Sequence, residues 1–196
     1  MRIVCSVLAV LVAGCALLEP RHDPSRFYTL SARQVDPALT REAGPSVVVG
    51  PVTFPTYLDR NEVAIRVSPS ELKYELTERW AEPLVQNFTR VLVEDLGTSL
   101  GSERVAALAS STAVPPDFWV EVVVVRFEAG LDGSALLTAR WAVRNAAHKI
   151  VRVRQSQHAR QATAATTEGG VKALSAALGD LADEIATVLR EIHAER

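Results

Sequence analysis

The chain has 196 residues, with 21 basic and 23 acidic side chains, a formal net charge of −2 and 48% apolar residues. That length suits one domain with its own core. Both charge signs are interspersed and no Lys/Arg block of the kind that neutralises phosphates occurs, which excludes nucleic-acid binding on electrostatic grounds.

Arg2 precedes an apolar stretch over residues 3–12 that is too short to span a bilayer but suits the core of a signal peptide, and the small residues Ala13 and Gly14 lead into Cys15. Leu11-Val12-Ala13-Gly14-Cys15 resembles the lipobox of bacterial lipoproteins. The resemblance implies a signal peptide over residues 1–14 and a mature N-terminus at Cys15 carrying a diacylglyceryl thioether and a further acyl chain. Such an anchor exceeds the two signals that suffice for stable membrane attachment. Cys5 leaves with the leader and the thiol of Cys15 is consumed by lipid, so no intramolecular disulfide is available and the fold must rest on its apolar core. Ala16 follows the cysteine where, in the enterobacterial rule, an aspartate retains lipoproteins in the inner membrane; its absence resembles an outer-membrane sorting signal. Pro20, Pro24 and mixed charges make residues 15–25 a lipidated N-terminus and linker, leaving 26–196 as the domain.

Residues 27–30 are a short strand candidate, and the β-branched run 46–54 reads as a buried strand with a bulge or edge at Pro51. Residues 62–67 alternate polar and apolar and are expected to pair with that run across residues 55–60. A helix starts at Glu82-Pro83 and runs to Leu100, with Leu84, Phe88, Val91, Leu92 and Leu96 on one stripe, Gln86, Arg90 and Glu94 opposite, and Gly101 as its stop. A further short strand is expected at 104–108. Residues 118–129 and 135–145 are long strands joined by a hairpin whose Gly130 and Gly133 permit positive φ. In the first, Val120, Val122 and Val124 face one way and Glu121, Val123, Val125 and Phe127 the other. In the second, Leu137, Ala139, Trp141 and Val143 oppose Thr138, Arg140 and Arg144. Residues 149–161 form a third strand whose basic side chains, Arg152, Arg154, His158 and Arg160, are expected to be solvated. Residues 167–194 form a long amphipathic helix that packs on the sheet, a lipid or a partner being the other uses of such a face. The order β-β-β-α-β-β-β-α predicts a single-domain α+β (mixed α/β) fold, a mixed and mostly antiparallel sheet covered by two long helices.

The chain carries little catalytic apparatus. Its four histidines, His22, His148, His158 and His193, lack metal-ligand spacing, and no nucleophile elbow, phosphate-binding glycine loop or dinucleotide fingerprint occurs. Asp59, Glu62, Glu75 and Glu78 could supply a carboxylate pair, but acidic residues near strand ends are ordinarily solvated or paired with neighbours such as Arg60 and Arg79. A non-enzymatic protein is therefore expected, without metal or cofactor beyond the covalent lipid on Cys15. Between Gly50 and Leu84, prolines, aromatics and an Arg beside Trp are concentrated. Tyr57 and Trp80 either close the core edge while Arg60 and Arg79 form ion pairs, or these residues meet a partner.

Phe27-Tyr28-Thr29-Leu30, Gly50-Pro51-Val52, Tyr57-Leu58-Asp59-Arg60 and Arg79-Trp80-Ala81-Glu82-Pro83-Leu84, in that order behind a lipobox, resemble the ABC-type transport auxiliary lipoproteins of the PqiC-like family. Asn61 departs from the proline expected after the Asp-Arg pair. The resemblance implies a periplasmic lipoprotein on the outer membrane, partner to an MCE-domain protein of an ABC-type lipid transport system. It also implies a role in envelope integrity, with Tyr57, Asp59, Arg60, Arg79 and Trp80 as partner-binding candidates. A homo-oligomer matching a symmetric MCE assembly is a further expectation. A periplasmic lipid-binding chaperone and a structural envelope lipoprotein are the alternatives.

Overall fold

The computed structural model describes residues 23–34, 44–110 and 115–195; the leader and Cys15 lie outside them. Eight strands and two helices follow in the order β1 (Arg26–Tyr28), β2 (Val47–Thr53), β3 (Glu62–Ser68), β4 (Glu71–Trp80), α1 (Leu84–Leu100), β5 (Val105–Ala107), β6 (Phe118–Gly130), β7 (Ser134–Asn145), β8 (Ile150–Gln161) and α2 (Thr167–Ala194). All eight strands form one mixed sheet, an α+β fold in which the antiparallel ladders β3–β4, β6–β7 and β7–β8 carry most of the pairing.

β6 is the spine of the sheet. One of its edges pairs with β7 along nearly its whole length. Its other edge is shared, with β2 parallel to its first half and β3 parallel to its end. β2 carries β5 outward, and β3 carries β4 and then β1. This corrects the expected pairing of β3 with β2: β6 is long enough to seat both along one edge, so the connection over residues 55–60 spans from one to the other instead of closing a hairpin. β4 is a strand that the alternation does not reveal, because charged residues and Leu76 interrupt the pattern and its register against β3 shifts between Glu62 and Val63.

β2 bends at a cis Gly50–Pro51 bond, where its register against β6 shifts, as its proline predicts. The second irregularity overturns an expectation. In β6 the register against β7 slips between Val124 and Arg126, so the alternation changes phase and Phe127 joins Val120, Val122 and Val124 on the buried side. There it meets Phe54 and Phe88 in edge-to-face contacts with ring centroids 6.2 and 5.3 Å away. The same slip leaves Glu128 on the opposite face. In the β6–β7 turn only Gly133 takes a positive φ, 79°, and Gly130 does not need one.

Both helices lie on one side of the sheet, α2 over β6, β7 and β8 and α1 over β2 and β5. Their apolar stripes are buried as predicted, from Leu84, Phe88, Val91, Leu92 and Leu96 on α1 to Val171, Leu174, Leu178, Leu181, Ile185 and Leu189 on α2. Pro83 opens α1, Gly101 ends it in the left-handed conformation, and the Thr166 side chain caps α2 by accepting from the Gly169 N–H. Basic side chains of β8 pair with α2 while Arg154 and Arg160 remain exposed to water, as expected. Arg154 and His158 lie 3.7 and 3.2 Å from Glu184, and Arg160 Nε donates to Asp180 at 2.6 Å.

The segment after β1 is held across the two helices by polar groups set within their apolar stripes. Asn87 Oδ1 accepts from the Leu30 N–H, Ser175 Oγ from the Ser31 N–H, and Asp95 Oδ1 from the Arg33 N–H at 2.8 Å. The Arg33 guanidinium donates to both Asp183 oxygens at 2.6 and 3.1 Å. Gly179 leaves room for it, since a Cβ there would sit 3.0 Å from Arg33 Nε.

Candidate docking surface

The helices cover one face of the sheet, and the turn over residues 55–60 lies across part of the other. Val63, Ala64 and Ile65 are all buried, so β3 is covered on both sides, and the outer cover comes from this turn and the β4 side chains beside it. The turn contains a short 3₁₀ segment, Thr56–Leu58, whose Leu58 enters the core. The Tyr74 hydroxyl on β4 donates to the Tyr57 carbonyl at 3.1 Å, and the Arg60 guanidinium stacks over the Tyr74 ring at 4.3 Å.

Beneath the turn sits Glu128, 2% exposed. Arg66 on β3 binds it with two parallel bonds of 2.8 Å, Arg126 Nε donates at 2.9 Å, and the Tyr57 hydroxyl donates at 3.2 Å. Burial pushes the Glu128 carboxyl upward, but the two guanidinium groups outweigh it and hold it below the ordinary carboxylate range. Burial, reinforced by the negative Glu128, pushes the Tyr57 phenol up to about 12, so it stays a hydrogen-bond donor at physiological pH. This network joins the turn, β3 and β6 into one rigid piece.

The five partner-binding candidates are only partly brought together. Tyr57, Asp59 and Arg60 share the turn, with Asp59 and Arg60 exposed and Arg60 Nε 3.4 Å from Glu62. Arg79 is reached through the sheet, opposite Glu62 on β3 and Phe27 on β1, and its Nε is buried without a hydrogen-bond partner among the described residues. Trp80, 7% exposed, belongs to the core, which is the place expected of a residue closing the core edge. Cys15 lies outside the described residues. Sequence reasoning missed Glu128, Arg66 and Tyr74. A carboxylate inside an apolar strand with arginine two residues before it was the available signal, but the bulge hid which face it occupies.

Two larger depressions mark the surface, one of them at the Glu128 network. A groove of about 950 Å³ runs between α1 and the β2–β5 edge, lined by Pro51, Val52, Val85, Val93 and Leu108. A cleft of about 570 Å³ between the β3–β4 and β6–β7 turns opens onto that network, lined by Arg66, Arg126, Glu128 and Leu136. Among the described residues no group of histidine, cysteine and acidic side chains is arranged to hold a metal, and no helix is long and apolar enough to cross a membrane.

The fold is shared with solved structures at identities that speak for the fold alone. Protein XCC0632 from Xanthomonas campestris aligns with a TM-score of 0.69 at 18% identity, over 87% of this chain and 100% of its own. A crystal structure described only as an uncharacterized protein aligns at 0.68 and 21% identity, over 86% and 98%. No curated protein matches. The model of the ABC-type transport auxiliary lipoprotein component family, however, matches residues 28–186, from the end of β1 to well into α2. It spans β2 to β8, the segment held across the helices and the Tyr57–Arg60 turn, and the chain therefore belongs to the family of ABC-type transport auxiliary lipoprotein components.

Proposed function

We propose that the protein is a non-enzymatic periplasmic component of an MCE/ABC-type lipid transport system, anchored to the outer membrane through lipidated Cys15, where it docks the MCE assembly and supports envelope integrity. The observation that carries this reading is the family match over residues 28–186 directly behind a lipobox-like Leu11–Cys15 run. The turn at Tyr57–Arg60 supports it physically. A loop already fixed by Glu128, Arg66 and Tyr74 loses little conformational freedom on meeting a partner, so its exposed Asp59 and Arg60 are preorganised for recognition. Energy coupling belongs to the partner ATPase.

A chaperone that enclosed acyl chains between sheet and helices is less favoured. Phe88, Phe118, Phe127, Leu137, Trp141 and Leu181 fill that layer and are closed to solvent. The deciding experiment is a crosslinking pull-down from envelope membranes with the lipidated protein and a Cys15→Ala variant, identified by mass spectrometry. An MCE protein recovered with the lipidated form and lost with Cys15→Ala supports the reading. Recovery with neither form overturns it. Arg60→Glu should lower recovery about tenfold if the turn is the contact, since reversing an interfacial charge places like charges together.

A further inference from the structure

We propose that the β1–β4 edge of the domain rests on the lipid surface itself, with Phe27 and Leu76 as its apolar contacts; this rests on the reading of Cys15 as lipidated. Leu76, 74% exposed, is the most exposed large apolar side chain among the described residues, and Phe27, 63% exposed, is the most exposed phenylalanine. Both belong to the outermost pair of strands at this edge, Phe27 opposite Arg79 and Leu76 three positions earlier on β4, where its register against β3 shifts. β1 runs parallel to β4 with Arg26 opposite Glu78 and Phe27 opposite Arg79, so the chain leaving β1 towards its N-terminus heads in the direction of Thr77 and Leu76. β1 pairs with β4 only and ends the sheet on that side.

The tether ends at the same place. Ten residues separate Cys15 from Arg26, a reach of at most about 40 Å when fully extended. A short tether holds this edge near the bilayer at an effective concentration in the millimolar range, at which a small apolar contact is enough to stay engaged. Area argues for lipid over protein: a stable protein interface needs about 800 Å² per partner, far more than two side chains supply. Charge argues the same way, because the exposed ions beside this edge are paired, Arg26 with Glu78 at 3.6 Å and Lys73 with Glu75 at 2.7 Å, and the Nε of Arg79, opposite Phe27, is buried. A contact of this kind orients the domain, turning β8 and the distant end of the sheet away from the membrane.

The test uses the full lipidated protein in phosphatidylethanolamine/phosphatidylglycerol vesicles containing brominated phosphatidylcholine, with an environment-sensitive fluorophore on Thr77→Cys or, as control, on exposed Val153→Cys of β8. Bromine quenching should be at least about threefold stronger at 77 than at 153, since the four strand spacings from β4 to β8 place residue 153 about 19 Å farther away. Phe27→Ser combined with Leu76→Ser, both at exposed positions, should reduce quenching at 77 to the level at 153 while leaving vesicle flotation intact. Equal quenching at both positions in protein that floats, or quenching at 77 indifferent to the double substitution, overturns the contact alone. Failure of the parent protein to float removes the anchor and the proposal with it.

Discussion

Glu128 shows how one residue can organise a surface. A carboxylate this deeply buried is stable only because Arg66 and Arg126 surround it, and removing one member of such a group leaves charge uncompensated. Glu128→Gln is expected to lower the unfolding free energy by about 3 kcal/mol at pH 7, measured by urea titration. Tyr57→Phe, which removes one donor and leaves the ring in place, should cost about 1 kcal/mol. The pH dependence has a definite sign. Folding lowers the Glu128 carboxyl, so its contribution is fully present above the unfolded value near about 4.3 and is lost as pH falls through the lower folded value. The urea midpoint of the parent protein should therefore fall more steeply below pH 5 than that of Glu128→Gln. Parallel curves would show that the carboxylate's charge is not what stabilises the turn. Asp95 behaves oppositely: burial raises its carboxyl, with one oxygen lacking a hydrogen-bond partner among the described residues, so it opposes folding at neutral pH and its cost is relieved as pH falls.

Among the elements, β6 decides most. Its length allows β2 and β3 to share one edge, and its bulge turns Phe127 inward and Glu128 outward in consecutive positions. The turn that follows depends on Gly133, whose φ of 79° and neighbouring Ala162 Cβ, 3.3 Å from where a side chain would begin, both disfavour a Cβ. Gly133→Ala should cost about 1–2 kcal/mol, seen as a lower urea midpoint at unchanged slope. Thr166→Ala should cost about 1 kcal/mol through the lost α2 cap. The α1 stripe was legible from spacing, yet Asn87 and Asp95 sit within its buried surface. They serve the strap over residues 29–33, a contact from more than fifty residues away that no local pattern encodes.

For the whole molecule, the strap and the shared edge of β6 tie both branches of the sheet to both helices. Unfolding should be a single cooperative transition, with tryptophan fluorescence, reporting on buried Trp80 and Trp141, coincident with far-ultraviolet circular dichroism. Two resolved transitions would show that the β1–β4–β3 branch opens separately. Phe88→Ala, at the centre of the Phe54–Phe88–Phe127 cluster, should cost about 3–5 kcal/mol in that same transition.

The sequence by itself determined the fold class, both helices with their buried faces, the proline start and glycine stop of α1, the three long strands and the short strand after α1, because each follows from local periodicity and punctuation. It also carried the family resemblance, since Tyr57–Arg60 and Arg79–Leu84 are contiguous runs. Only the tertiary structure decided that β3 joins β6 and not β2, that β4 is a strand, that the basic side of β8 meets α2, and that Trp80 lies in the core while Arg60 stands outside it. The physical reason is common to all four. Each depends on which strands and helices meet across long sequence separations, and a one-residue bulge is enough to exchange the faces that local alternation assigns.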